Sequence, residues 1–297
     1  MSGICAGIVL YEPNLERLKE NIGAVYNQVE KLYLVDNFSS NINAVCDLIS
    51  EQSKAVIIKN GENCGIARAL NQLCNAALKD GYEWMLTLDQ DSVADTSMIA
   101  DMLPVTKDQS VALIAPFVND DYENEEGAKD LTDTEEITRC NTSGSLTRLS
   151  VFKEIGGFDE RMFIDCVDFD YCTRLLKNGY RVVRVNSAVI HHRLGQASPV
   201  RFFVPFGKLF GIKKLQKPFY TYNHSPLRTY YYARNILYYM YKHKDFINMK
   251  QEKRTYLRWF VLKVFFEKQG FKKLCAIIKG TVHSKRLKNE YKKEISR

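Results

Sequence analysis

Short apolar runs alternate with helical patterns along the first half of the chain. Ile4–Leu10, Lys31–Asp36, Ala55–Lys59, Trp84–Asp89 and Val111–Ala115 are brief and often β-branched, which predicts strands. Between them, Asn14 is placed to cap a helix running to about Tyr26. Ile66, Ala69, Leu70, Leu73 and Ala77 form one stripe of a second helix that ends near Asp80-Gly81. Strands alternating with helices imply an α/β fold, a mostly parallel central sheet flanked by helices. Residues 119–137 are acidic and polar and read as a surface loop. Arg181–Val185 and Ala188–His192 add two strand patterns. After about residue 200 the alternation stops and long helical patterns begin. The expected organisation is an α/β domain over 1–200 and a helical region over 201–297.

Composition sharpens this division. The chain has 297 residues, 45% of them hydrophobic, and a formal net charge of +7. From Lys250 to Arg297 there are fifteen Lys or Arg against four Asp or Glu, so the basic character belongs to the tail. No run of eighteen apolar residues suggests a membrane-spanning helix. The apolar N-terminal segment lacks a basic flank and a cleavage pattern, and it reads as a first strand. Eight scattered cysteines include no Cys-x-x-Cys pair, which argues against structural zinc and for reduced thiols in a cytoplasmic setting.

The densest chemistry lies in Trp84-Met-Leu-Thr-Leu-Asp89-Gln-Asp91-Ser92. A buried strand here ends in two carboxylates, at the edge where open α/β sheets bind ligands. Such a pair can share a hard divalent cation, Mg²⁺ or Mn²⁺, with a diphosphate, although many acidic loops are simply solvated. Four further segments accompany it. Lys31-Leu-Tyr-Leu-Val-Asp36-Asn37-Phe38 is a strand ending in an acid, and Asn60-Gly-Glu-Asn-Cys-Gly65-Ile-Ala-Arg68 is a turn opening a helix. Gly156-Gly-Phe-Asp-Glu160 leads into Phe163-Ile-Asp165-Cys-Val-Asp168-Phe-Asp170, and His191-His192-Arg-Leu-Gly195 closes the set.

In order and content these segments resemble the inverting family 2 glycosyltransferases of the GT-A fold, most of all bacterial rhamnosyltransferases. The resemblance covers about residues 4–235, including His224-Ser-Pro-Leu-Arg228 through Asn235. It implies a nucleotide-sugar site at Tyr11, Asp36, Gly65, Arg68 and Asp89, with Asp36 on the uracil or thymine ring. It implies a metal held by Asp89, Asp91 and His192, and a general base at Asp168. Each residue also has a plainer reading. Asp36 also reads as an ordinary helix cap, Gly65 as a tight turn, Arg68 as a solvated helix face, and His192 as a structural histidine at a strand end, or one whose role falls to His191. Many relatives have Glu-Asp where this chain has Val167-Asp168, so Asp165 remains a rival base. Asp170 is spaced to pair with Arg174. Ser143-Gly144-Ser145 falls on the acceptor side by the same resemblance, and Tyr230–Tyr232 and Trp259 are either acceptor-groove or core aromatics.

The resemblance implies transfer of a sugar from a dTDP- or UDP-linked donor. L-Rhamnose from dTDP-L-rhamnose is favoured over a UDP-hexose or a galactofuranose donor. A non-catalytic nucleotide- or glycan-binding domain is the alternative of another class. The aromatic and basic tail suits docking at an anionic membrane surface, where a lipid-linked glycan acceptor of surface polysaccharide synthesis would lie. No motif supports binding of nucleic acid.

Overall fold

The five apolar runs all form strands, and they are joined by elements with weaker signals. The first unit contains β1 (Ile4–Leu10), α1 (Leu15–Tyr26), β2 (Lys31–Asp36), α2 (Ile42–Ile49), β3 (Ala55–Lys59) and α3 (Ile66–Lys79). It continues with β4 (Trp84–Asp89), β5 (Ser92–Ala94), α4 (Met98–Thr106), β6 (Val111–Asp120) and β7 (Thr134–Glu136). It ends with β8 (Ser145–Arg148), α5 (Leu149–Glu154), α6 (Val167–Lys177) and β9 (Arg181–His192). This computed structural model describes residues 3–120, 132–192, 198–213 and 216–296. The chain divides into two units, Met1–Arg193 and Leu194–Arg297.

The strands of the first unit run in the order β3-β2-β1-β4-β8-β6-β9-β5, with β7 also paired to β9. The β3-β2-β1-β4 half is parallel, as is β6 with β9. β8 runs antiparallel between β4 and β6, and β5 and β7 run antiparallel against β9. β1 is buried along its whole length, as a central parallel strand should be. Ile4, Ala6, Ile8 and Leu10 pack on one face with Leu18 and Ile22 of α1, Val45 of α2 and Met98 of α4. On the other face α3 lies so close to β1 that a Cβ on Gly7 would meet Leu73 at 2.8 Å. Successive strands step outward from β1 on one side, whereas β4 lies on the other. The reversal opens a crevice at the carboxyl ends of β1 and β4.

Two expectations change. The 119–137 loop is narrower than its composition suggests, because Thr134–Glu136 is a strand and β6 runs to Asp120. Residues 121–131 lie outside the described residues. The two late strand patterns merge into one 12-residue strand, β9, whose pairing with β6 slips between Pro116 and Phe117.

The second unit contains β10 (Ser198–Val200), α7 (Val204–Leu209), β11 (Phe219–Thr221), α8 (Pro226–Lys242), α9 (Met249–Phe265) and α10 (Gly270–Ile295). β10 and β11 pair antiparallel. The aromatic residues noted in the sequence join helices. Tyr232 and Trp259 have ring centroids 4.4 Å apart, and the Tyr230 hydroxyl lies 2.7 Å from His283 Nδ1. No described helix is long and apolar enough to cross a membrane.

Candidate active site

Asp36 ends β2 level with Leu10, and Asp89 ends β4 level with Val9, so the two acids flank the end of β1. Asp36 is buried. Both its oxygens lie 3.2 Å from the Ser39 amide, the one donor they have among the described residues. It does not cap α2, whose N-cap is Asn41. A buried carboxylate with a single shared donor retains acceptor capacity for a ligand N–H. Two exposed aromatic residues follow the ends of β1 and β2. Tyr11 is 51% exposed, and Phe38 is 61% exposed on a backbone with φ of 72°.

The Asp89-Gln90-Asp91 turn is held by the Gln90 side chain and by the backbone groups of Asp89 and Asp91. Gln90 exchanges two hydrogen bonds with the Tyr11 backbone, at 2.8 and 3.1 Å. Ser143 Oγ accepts from the Asp89 amide at 3.0 Å and bonds Ser92 Oγ at 2.8 Å. Asn21 donates to the Asp89 carbonyl and Arg17 Nε to the Asp91 carbonyl, each at 2.7 Å. The Asp91 carboxylate has no partner among the described residues. Gln90, Asn21 and Arg17 carry no role in the sequence reading, and Ser143, expected on the acceptor side, is found holding the Asp89 amide. One signal exists, because Asn21 interrupts the apolar stripe Leu18, Ile22, Val25 and is fully buried.

Gly65 and Asp168 belong to one junction. The Ile66 amide, first in α3, donates to the Phe163 carbonyl at 2.7 Å. A Cβ on Gly65, whose φ is 82°, would lie 2.5 Å from that oxygen. The glycine therefore serves a close approach, and the first amide of α3 is spent on protein. Arg68 is exposed one turn in, with no partner among the described residues. Asn71 of α3 bonds the Phe158 backbone twice, at 2.8 and 3.0 Å, fixing the Gly156-Gly157 turn. Arg174 pairs with Asp170 at 2.7 Å, as their spacing predicts, and donates to the Ile155 and Gly157 carbonyls.

Between these anchors Asp165 and Cys166 both take left-handed backbone, with φ of 66° and 64°. Each costs about 1–2 kcal/mol for a residue with a Cβ. The turn delivers Asp168 to the start of α6. Burial pushes its carboxyl up to about 7. The Phe169 amide, donating at 2.9 Å, opposes this, and the charges of Asp165 and Asp89 add to it. Asp168 also lines a cavity of about 10 Å³ with Thr87, Cys140, Tyr171 and Cys172, scarcely room for one water. A carboxyl group near 7 is suited to accept a proton at neutral pH.

No three His, Cys, Asp or Glu side chains converge as a metal cluster among the described residues. Asp89 and Asp91 nevertheless fit a cation that keeps waters and takes one or two carboxylates plus diphosphate oxygens. His191 is engaged elsewhere, its Nε2 lying 2.8 Å from Asp95 Oδ1. His192 pairs with Ser92 through the β5–β9 ladder. Its side chain and Arg193-Leu194-Gly195 lie outside the described residues.

Comparison with known proteins bears on the family and the fold. The dTDP-rhamnosyl transferase RfbF of Shigella flexneri is 28% identical over 249 residues, covering 79% of this chain and 78% of that protein. Residues 1–349 of S. aureus TarS, solved with UDP-GlcNAc, superpose with a TM-score of 0.58 at 12% identity. That match covers 96% of this chain and 82% of the other. The mannosyltransferase PcManGT of Pyrobaculum calidifontis, solved with GDP-Man and Mn²⁺, gives a TM-score of 0.53 at 12% identity. It covers 95% of this chain and 86% of the other. These two share the GT-A fold. The family model "Glycosyl transferase family 2" matches residues 7–164, more than half of the chain, which is therefore a family 2 glycosyltransferase.

Proposed function

We propose that the enzyme transfers L-rhamnose from dTDP-L-rhamnose, with inversion, onto a lipid-linked glycan of bacterial surface polysaccharide. The reading places the enzyme in the cytoplasm, at the inner face of the membrane. The observation that carries the chemistry is Asp168, a carboxyl poised near 7 and feeling the charge of the strand-end Asp89. The similarity to RfbF supports the donor.

Asp36 accepts the ring N–H of the thymine, with Tyr11 and Phe38 on either side. Arg68 meets the diphosphate from the first turn of α3, beside Gly65. Asp89 and Asp91, with His192, would hold Mg²⁺ or Mn²⁺, which when bound would supply charge neutralisation for the diphosphate leaving group. Asp168 takes the proton of the acceptor hydroxyl as that oxygen attacks the anomeric carbon. The bond to the diphosphate breaks on the opposite face, and dTDP-β-L-rhamnose gives an α-L-rhamnoside.

A panel of nucleotide sugars, assayed for binding and hydrolysis with Mg²⁺, Mn²⁺ or chelator, tests the proposal. dTDP-rhamnose should turn over fastest. Faster turnover of UDP-galactose would refute the donor and leave the chemistry. Asp91→Ala should abolish transfer and weaken Mn²⁺-dependent nucleotide binding. Full activity in excess chelator would remove the metal.

A further inference from the structure

α9 is inside out. Its apolar residues include Leu257, Phe260, Val261, Leu262, Val264 and Phe265, yet the two side chains it buries are Glu252 and Lys263. Lys263 donates to Glu267 at 2.6 Å, and the other Glu267 oxygen takes Lys273 of α10 at 2.5 Å. Phe260, Leu262 and Val264 are half-buried, and Leu257, Val261 and Phe265 turn outward. Leu257 is 62% exposed and Phe265 70%, and on α10 Phe271 is 78% and Ile278 56% exposed. A helix on the surface of a water-soluble domain has the opposite pattern. Between α9 and α10 runs a groove of about 630 Å³, lined by Leu257, Phe260, Leu274, Ile278 and Val282, with Lys253 beside them.

The charge around this face has one sign. Between Lys250 and Arg286 the acids are Glu252 and Glu267, and both are buried. Lys253, Arg254, Arg258, Lys272 and Lys279 are exposed, whereas Arg286 further along α10 pairs with Glu290 at 2.8 Å. Exposed apolar side chains amid predominantly basic charge match the boundary between anionic headgroups and acyl chains. Self-association through this face would bring like charges together.

We infer that the α9–α10 face is a lipid-binding surface that seats on an anionic leaflet, its apolar side chains among the acyl chains and its lysines and arginines at the phosphates. This rests on the reading of a membrane-borne acceptor and names the residues that reach the membrane. Co-sedimentation of the full chain with phosphatidylcholine vesicles, with and without phosphatidylglycerol, tests it. The protein should bind the anionic vesicles far more tightly, and added salt should weaken that binding. Leu257→Glu with Ile278→Glu should lower partitioning about tenfold or more. Lys272→Glu with Lys279→Glu should abolish the preference for anionic lipid. Melting curves check that the variants fold, and Phe271→Ser, at the most exposed of these positions, is a milder substitute.

Equal binding to both vesicles, unchanged binding by these variants, or a solution dimer that Leu257→Glu dissociates would each overturn the inference. Hydrolysis of the nucleotide sugar in solution is read in parallel. Lost hydrolysis with intact vesicle binding would defeat the catalytic proposal and leave the lipid surface standing.

Discussion

Asp168 lies in the first turn of α6, where a helix N-terminus favours the ionised form by about 0.3–1 kcal/mol. Burial outweighs that preference and pushes the carboxyl up to about 7. As a base it must be deprotonated, so kcat/KM should rise with pH through a limb near 7. Asp168→Asn should lower the rate about 10²–10⁴-fold with donor affinity kept. Asp165→Asn is a clean comparison, because asparagine tolerates the left-handed backbone there, and it should retain most activity. If Asp165→Asn alone kills turnover, Asp165 is the base. Stability follows the same shift. A raised carboxyl pKa contributes stability that is present below the unfolded value and lost as pH rises through the folded one. Asp168→Asn should therefore gain in melting temperature relative to the native chain between about pH 4 and about pH 8. Phe38 offers a second test. Its positive φ is strained, so Phe38→Asn should hold or raise stability by up to about 1 kcal/mol while weakening donor binding. Asp36 and Asp89 stood out in the sequence because they end apolar runs, and Asp168 through the resemblance of its motif. Gln90, Asn21 and Arg17 did not, because they hold backbone groups and leave no pattern of their own beyond the break Asn21 makes in the α1 stripe.

At the scale of elements, the site depends on α3 meeting the Phe163–Asp168 segment. Gly65→Ala would combine a left-handed alanine with a Cβ 2.5 Å from the Phe163 carbonyl. It should cost several kcal/mol, about 1–2 of them from backbone strain alone, and should reduce activity by displacing Asp168. Gly61→Ala is the control. Its Cβ would meet nothing within 4 Å and its φ is not positive, so melting should stay the same or rise slightly. Equal melting for the two variants would dismiss the junction. The parallel strands were legible because burial on both faces makes them continuously apolar, as in Ile-Cys-Ala-Gly-Ile-Val-Leu. β8 was not, because Ser-Leu-Thr-Arg is short and polar although fully buried. Its arginine is satisfied by the carbonyls of Thr106, Asp108 and Val111, partners distant in sequence. α4 was hidden in part by Pro104, which ordinarily argues against a helix interior.

For the whole molecule, the basic tail could be read from composition, but its inside-out packing could not. A helical stripe shows which residues share a face and is silent on whether that face turns inward. Lys263 and Lys273 go inside because Glu267 lies between them, and that pairing depends on the turn from α9 into α10. The proposals assign donor and lipid to different units, and hydrogen exchange can test each one. dTDP with Mn²⁺ at about a hundredfold over its Kd should stabilise the folded state by about 2.7 kcal/mol. Protection should appear at the carboxyl ends of β1, β2 and β4 and at the first turn of α3. Anionic vesicles without nucleotide should instead protect α9 and α10, and Leu257→Glu with Ile278→Glu should erase that second pattern while leaving the first intact. If dTDP and Mn²⁺ protected α9 and α10 as strongly as the strand ends, the nucleotide would be using the tail, and the assignment of donor and lipid to separate units would be wrong.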